Sequence, residues 1–525
     1  MLRGGSFLIL LRLRTSKQSE DGMSAEVELE GQRSETNLVR EFRFWLVLHL
    51  VAWSVLPFLT NHALPLDTLE ALVWGKEWAW GYDKHPPLSA WAAEIFGNVL
   101  GDWGLYFLSQ LCIVIGGWGI WKLGRDFGLS RSVCLLGLIL LDAIYFYQYA
   151  SPEFNVNYIQ LPFWAWGWWA GFRGVSTGRW YYWVGLGMAV GLGALGKYLA
   201  VVLVFPFLLA LWQRGELWEQ LRRPGLYLAG LTSLVVFAPH LLWMKEHDWL
   251  TITYGLRRAG GEEASWLVKH VVYPLVFLGS QLGGLLPLFV FLLITRRRKA
   301  ESHVERSVSG LGGLAFGGFF FFGGLSLVFG WEPVTMWAVP IYLALGLWVA
   351  TKVSVERQRM AARFALGFGL IGLLAYGGVY GLSPYFREKP HRVGYPGKEI
   401  AHAVEKIWHD EYGTTLEYVI ADEWFGGLVA WYGEDRPSVV IHGEWVRSPS
   451  LERDEVLAAG GMVIWLKSRD SESQEVRSLE SELPDVNEHF ASLEFMEDLV
   501  IAWPRRTDSK KGRFGVAVVA PQESK

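Results

Sequence analysis

About eleven apolar segments, separated by polar connections, constrain the fold of this chain more than any other feature. Most of them approach the roughly 20 apolar residues that an α-helix needs to cross a bilayer. Hydrophobic residues make up 51% of the sequence, which places it in the membrane class. We therefore predict an α-helical polytopic membrane protein. The segments are 42–60, 103–123, 132–149, 157–172, 180–196, 198–213, 225–243, 271–294, 310–330, 335–351 and 364–381.

The basic residues predict the orientation of the chain. If the amino terminus is cytoplasmic, the inside connections carry more Lys and Arg than the outside ones, as in the run RRRK at 296–299. An odd number of spans then places the chain after about residue 381 outside. We predict a polar cytoplasmic leader over 1–41, a transmembrane domain over 42–381 and a multi-pass location in the plasma (inner) membrane.

The region 382–525 differs from the rest because it is charged and has no run long enough to span a bilayer. Its stretch 398–409 has helical periodicity. Four short apolar runs are typical of buried strands, at 416–421, 437–441, 461–467 and 515–520. Helices alternating with strands predict a small periplasmic or other extracytoplasmic α/β domain.

Composition excludes several functions. The net charge of -4 does not favour nucleic acid as a partner. Both cysteines, Cys112 and Cys134, fall inside apolar segments, so neither a structural disulfide nor a Cys-based metal site is expected. His62, His85 and the nearby acids have no recognised ligand spacing, so we assign no metal ligand and no cofactor, and leave a divalent cation open.

The polar segment after the first apolar segment is the main candidate for a site. Charged groups cost free energy beside hydrocarbon, so a cluster at the mouth of a span indicates function more often than a solvated loop. Asp67 and Glu70 are three residues apart and would share one face of a helix. Either carboxylate could act as a general base toward a hydroxyl.

A Pro-Pro pair predicts that a helix starts at 86–87 and continues through Trp91 to Leu100 along the membrane surface. His85 would then lie just before a helix N-terminus, where backbone N–H groups favour anions. With Lys84 it could hold a phosphate, or it could simply cap the helix.

Further polar residues fall on the predicted outer face. The loop SPEFNVN could bind a sugar or support Asp67 through its polar side chains, or these side chains could be solvated. Lys197 in GALGKY could bind the phosphate of a lipid carrier or extend to the interface. A basic pair in the connection 245–270 could contact a diphosphate or be solvated. The remaining candidates are Glu153, Asn155, Asn157, Arg257 and Arg258.

Together these motifs resemble a known family. The acids after the first segment, WGKEWAWGYDKHPPLSAW, SPEFNVNYIQLPFWAW and GALGKY are similar to bacterial GT-C membrane glycosyltransferases of the family 39/83 type. That group is related to protein O-mannosyltransferases and aminoarabinose transferases, and includes lipopolysaccharide-core galacturonosyltransferases. The resemblance is best over 61–243, and HPPL is its most specific motif.

The resemblance implies an inverting enzyme that moves a sugar from a polyprenyl-phosphate carrier to a hydroxyl of a lipid, glycan or protein in the cell envelope. Relatives often carry adjacent acids, whereas here two residues separate Asp67 from Glu70, so the base is either one. Positions that match functional residues of the family are Asp67 as base, Lys84 and His85 at the donor phosphate, Glu153 in the second outer loop and Lys197 at the carrier phosphate.

Two other functions fit parts of the sequence. A transporter or lipid flippase would have intramembrane charged pairs and repeated spans, and we find no clear repeat. A non-enzymatic assembly protein would use its tail to bind a partner. The tail has no evident catalytic cluster, and we interpret its acidic Asp422 and Glu423 as surface or saccharide-contacting residues.

Overall fold

The computed structural model describes residues 44–260, 264–295, 308–387, 390–490, 492–505 and 510–522. The predicted leader and the basic run at 296–299 lie outside the described residues. The described helices are Phe44–Thr60, Leu66–Gly75, Leu88–Asp126, Arg131–Ile139, Leu161–Thr177, Trp180–Gly196, Val204–Gln213, Leu217–Leu221, Pro224–Glu246, Leu250–Gly260, Tyr273–Thr295, Leu311–Phe329, Leu345–Lys352, Gln358–Tyr376, Gly397–Tyr412, Glu423–Tyr432, Arg453–Ala459, Leu479–Glu482 and Val486–His489.

Five helices among the described residues are long and apolar enough to cross a bilayer: Leu88–Asp126, Pro224–Glu246, Val268–Leu293, Leu311–Phe329 and Val355–Tyr385. Two shorter apolar helices, Phe44–Thr60 and Tyr198–Gln213, accompany them. The predicted apolar segments all contain helix, so the chain is a helical multi-pass membrane protein, as the sequence indicates.

Several of the apolar segments are not α-helical throughout, and 198–213, for example, begins with 3-10 turns over Tyr198–Leu203. In 132–149 the α-helix ends at Ile139, and 3-10 turns follow. Buried Asp142 in these turns accepts a hydrogen bond from Trp45 Nε1 at 2.6 Å. In 335–351 a 3-10 stretch, Thr335–Ala344, precedes the helix, because Pro340 has no N–H to donate within a helix.

The helix predicted after the Pro-Pro pair is present. It begins at Leu88 directly after Pro87, whose fixed φ suits a helix start. At Gly101 the backbone has φ 63, a left-handed conformation that glycine adopts readily. This kink lies between the predicted surface helix, which ends at Leu100, and the apolar segment 103–123.

The candidate acids lie on the helix Leu66–Gly75, here called the DxxE helix. Pro65 precedes it in an extended conformation. The helix approaches Leu88–Asp126 closely at Gly75, where a Cβ would lie 2.4 Å from the carbonyl oxygen of Ala90. Glycine at this point therefore brings the two helices together beside the site.

The carboxy-terminal region contains one mixed sheet of the order β2-β1-β3-β6-β4, with β5 also on β6. β1 is parallel to β2 and β3, and the pairs of β6 are antiparallel. The four predicted strands are confirmed, and β4 and β5 were not predicted. The strands are β1 Tyr418–Ala421, β2 Ser438–Ile441, β3 Gly461–Ser468, β4 Leu493–Phe495, β5 Leu499–Ala502 and β6 Lys511–Val519.

The helix Glu423–Tyr432, here called the docking helix, lies between this sheet and the DxxE helix. Two consecutive glycines allow both contacts. A Cβ on Gly426 would lie 2.4 Å from Val439 Cγ1, and one on Gly427 would lie 2.9 Å from Leu69 Cβ. Burying both faces of a helix in this way holds the sheet against the helices that carry the site.

Candidate active site

A cavity of about 440 Å³ lies between the DxxE helix, the segment after it and several later outer segments. Its wall combines charged groups with aromatic rings, among them Trp331 and Trp337 from the chain before the last spans. Polar groups converging on a largely apolar cavity are typical of small-molecule sites. The predicted site residues that line it are Asp67, Glu70, Lys84, His85, Asn155, Asn157, Lys197 and Arg258.

Asp67 is held by the loop after the third apolar segment. Glu153 Oε1 accepts a hydrogen bond from the backbone N–H of Asp67 at 3.2 Å, and Asn155 bonds the Asp67 carboxylate. Burial raises the pKa of Asp67 above its ordinary value, against the opposing effects of Lys197 and Lys84. A buried carboxylate of this kind is a stronger base than one in water.

Glu153 does not line the cavity but supports it from behind. Burial raises the pKa of its carboxyl to about 7, and the charge of Asp67 adds to the effect. The sequence analysis considered two roles for this loop, binding a sugar and supporting Asp67. Support of Asp67 fits Glu153, whereas Asn155 and Asn157 face the cavity.

Glu70 is already engaged in an ion pair. Lys84 Nζ lies 2.6 Å from Glu70 Oε1 and 2.5 Å from Glu423 Oε1. Burial raises the pKa of Glu70 to about 8, although Lys84 acts against it. Burial alone would lower the pKa of Lys84, but Glu70, Glu423 and Asp83 together raise it above its ordinary value.

Lys197 lies at the break between Trp180–Gly196 and the 3-10 turns that follow. Its Nζ donates to Asn157 Oδ1 at 2.7 Å and lies 5.6 Å from the centre of the Trp337 ring. Burial lowers the pKa of this ammonium to about 7, while the charge of Asp67 acts to raise it. Lys197 thus has no carboxylate bonded to it in the described chain, and its charge is available to an anion.

His85 faces the cavity as an uncharged ring. Burial lowers the pKa of His85 well below its ordinary value, and Lys197 and Lys84 add to this. The ring packs edge-on against Trp74 at 5.8 Å and Tyr254 at 6.2 Å. A neutral imidazole can donate one hydrogen bond to a phosphate but adds no charge.

The basic pair at 257–258 divides between two environments. The predicted connection contains a helix, Leu250–Gly260, that places Arg258 on the cavity wall. Both residues are partly open to solvent, and Arg257 does not line the cavity. Neighbouring residues on a helix point about 100° apart, so only one of the pair can face the site.

The tail contributes a residue that the sequence interpretation missed. Glu423, the first residue of the docking helix, lines the cavity and pairs with Lys84. The residue is 8% exposed, so of the two interpretations of Glu423, surface or saccharide-contacting, the first is wrong. A local signal for Glu423 is present in the sequence. An acid pair follows an apolar strand, and its first member, Asp422, caps the helix that begins at Glu423.

Among the described residues, no group of three or more His, Cys, Asp or Glu side chains is arranged to hold a metal ion. Two acids of the cavity, Glu70 and Glu423, are paired with Lys84.

Residues 84–243 match the family model for dolichyl-phosphate-mannose-protein mannosyltransferases. Among solved structures, the chain is similar to ArnT from Cupriavidus metallidurans bound to undecaprenyl phosphate, with a TM-score of 0.60 and 14% identity over 92% of this chain and 98% of that one. This chain has the GT-C fold. The apo structure of the same ArnT matches with a TM-score of 0.59 and 14% identity, covering 93% and 99% of the two chains.

The predicted fold class and the resemblance to GT-C membrane glycosyltransferases are confirmed. The family match also confirms the expected class of enzyme, a membrane glycosyltransferase. A comparison with curated proteins gave no significant match.

Proposed function

We propose that the chain is an inverting glycosyltransferase that moves a sugar from a polyprenyl-phosphate carrier to a hydroxyl of an envelope lipid, glycan or protein. The observation that carries the proposal is a half-buried carboxylate, Asp67, and a buried ammonium, Lys197, on the wall of one cavity. The similar ArnT structure, which is bound to undecaprenyl phosphate, supports a polyprenyl phosphate as the donor carrier.

The reaction proceeds by a single displacement at the anomeric carbon. The acceptor oxygen forms the new glycosidic bond, and the bond from the anomeric carbon to the phosphate oxygen breaks with its electron pair. The proton of the acceptor hydroxyl passes to Asp67, because the Glu70 carboxylate is already bonded to Lys84. Lys197 and Arg258 stabilise the negative charge that develops on the departing lipid phosphate.

The proposal includes an orientation. The cavity faces the outer side of the plasma (inner) membrane, the amino terminus is cytoplasmic, and the region 382–525 is an extracytoplasmic domain beside a transmembrane domain over 42–381. The asymmetry of Lys and Arg between alternate connections supports this arrangement. The alternative of a transporter or flippase gains no support from the family match or from the similar structures.

Sugar transfer by the purified protein tests the proposal. We expect the parent protein in lipid to transfer sugar from a panel of polyprenyl-phosphate sugars to an envelope glycolipid extract, followed by mass spectrometry. Asp67→Asn removes the base and should lower the rate about 10²-fold or more. Glu70→Gln should cost roughly tenfold, since it only disturbs the position of Lys84.

The matched control is Asp498→Asn, which removes one carboxylate charge in the carboxy-terminal region, from a pair with Lys467 at 2.7 Å. It should retain the parent rate. A larger loss in Glu70→Gln than in Asp67→Asn would assign the base to Glu70. No transfer from any donor by a stably folded parent would contradict the proposed function.

A further inference from the structure

The ion pairs of Lys84 pose a problem for donor binding. Lys84 lines the cavity that also holds Lys197 and Arg258, which places it within the proposed phosphate site. Its ammonium, however, contacts two carboxylates, Glu70 at 2.6 Å and Glu423 at 2.5 Å. An incoming phosphate can pair with Lys84 only if one carboxylate releases it.

Glu423 is better placed than Glu70 to release Lys84. Its carboxylate has two further partners, because Arg447 Nη2 donates to Oε1 and His442 Nε2 lies 3.1 Å from Oε2. Glu70 has no second cationic partner in the described part of the chain. A buried carboxylate that loses its counter-ion is strongly disfavoured, so the exchange falls on Glu423.

Arg447, one partner of Glu423, is itself held by two further carboxylates, one outside the carboxy-terminal region and one within it. Arg447 Nε lies 3.6 Å from Asp83 Oδ2, and Arg447 Nη1 lies 3.8 Å from Glu444 Oε1. At the start of the docking helix, the Asp422 side chain accepts a hydrogen bond from the N–H of Phe425 at 2.6 Å. Glu423 can therefore stay in place while the flexible side chain of Lys84 moves.

We propose that Glu423 is a positioning residue that holds Lys84 before the carrier binds and passes it to the carrier phosphate. Arg447 then remains as the counter-ion of Glu423, and His442 stays in contact with its second oxygen. The inference rests on the proposed function. It means that residues of the region 382–525 take part in binding the donor. The exchange forms and breaks ion pairs only, so no covalent bond changes.

Equilibrium binding of undecaprenyl phosphate, without sugar, tests the exchange. The full-length protein in lipid nanodiscs is titrated, and quenching of tryptophan fluorescence gives Kd, since three tryptophans line the cavity. Glu423→Gln removes the competitor and should lower Kd about fivefold. Lys84→Gln should raise it about tenfold, and in that background Glu423→Gln should change Kd less than about twofold.

The double variant separates this exchange from a general effect of charge. If Glu423→Gln tightened binding equally with and without Lys84, the cavity's net charge would explain the effect and the proposal would be wrong. Unchanged or weaker binding by a folded Glu423→Gln protein would also overturn it.

Arg447→Gln provides a second test with the opposite sign. Without Arg447, Glu423 should retain Lys84, so Kd should rise about fivefold. An unchanged or lower Kd overturns the proposal even if the Glu423 variant fails to fold. Asp498→Asn is the control and should leave Kd unchanged. A parent protein that binds no undecaprenyl phosphate would instead overturn the proposed function.

Discussion

Asp67 lies among charged neighbours that oppose the effect of burial on its pKa. Lys197 and Lys84 lower the pKa of the Asp67 carboxyl, and the charge of Asp67 raises the pKa of the neighbouring Glu153 carboxyl. Burial is the larger influence and raises the pKa of Asp67. The proposed base is thus tuned by residues that do not themselves accept the proton.

The pH dependence of transfer should report this tuning. Asp67 acts as a base only when ionised, so the rate falls as the pH drops through its raised pKa. Lys197→Gln removes a positive charge, raises the pKa of Asp67 and should move the acid limb of kcat/KM up by about one pH unit. Lys84→Gln removes the second positive charge that lowers the pKa of Asp67 and should also move the limb up.

Normalised pH–rate profiles of the two variants measure these shifts, with Lys467→Gln as a control far from the cavity. Lys197→Gln will also lower the maximal rate through loss of phosphate stabilisation, which does not affect the position of the limb. A shift of the limb to lower pH in either variant would show that Asp67 is not the group that titrates.

At this scale the sequence predicted most of the site and missed what depends on distant contacts. The spacing of Asp67 and Glu70 predicted their shared helix face, and Lys197 was found because it interrupts an apolar run. The spacing could not rank the two acids, because the ion pair of Glu70 depends on how Lys84 and Glu423 fold toward it.

At the scale of elements, the position of the sheet relative to the site depends mainly on how the docking helix packs against the DxxE helix. Its fit requires glycine at 427, where a Cβ would lie 2.9 Å from Leu69 Cβ on the DxxE helix. Because both atoms are close to the backbone, the helices would have to separate to admit a methyl group. Glu423 lies one turn earlier on the same helix and would move with it.

Gly427→Ala should therefore destabilise the protein by about 1–3 kcal/mol, although alanine favours helix. Thermal unfolding in detergent measures the change, and transfer activity should fall with it. The matched control is Gly367→Ala on the helix Gln358–Tyr376, where nothing lies within 4 Å of the added Cβ. A parent-like melting temperature for Gly427→Ala would contradict the tight docking described above.

Local sequence patterns predicted most helices and strands, but they did not predict how these elements pack against one another. Pro87 marks the start of Leu88–Asp126, and four strands of the sheet follow from short apolar runs. The contact of Lys84 with Glu423 joins residues 339 positions apart. No periodicity reaches over that distance, because such a contact is decided by tertiary packing rather than by local preference.

For the whole molecule, the exposed apolar surface indicates which helices face lipid. Only 17% of the most apolar window of Pro224–Glu246 and 11% of that of Val355–Tyr385 is buried, against 50% for Leu88–Asp126. Apolar faces of this size do not remain in water. The first two helices therefore contact the bilayer, and Leu88–Asp126 lies in the interior of the bundle.

Cysteine accessibility can test the proposed orientation in intact cells. The two native cysteines are buried and free, so they give little background with a membrane-impermeant maleimide. Gln474→Cys is exposed in the carboxy-terminal region, and Ser176→Cys is exposed between two apolar helices on the proposed cytoplasmic side. We expect Gln474→Cys to be labelled in spheroplasts and Ser176→Cys only after permeabilisation, because only the first would lie outside. The reverse pattern would place the cavity and its carboxylates on the cytoplasmic side, and the donor would then have to be supplied from there.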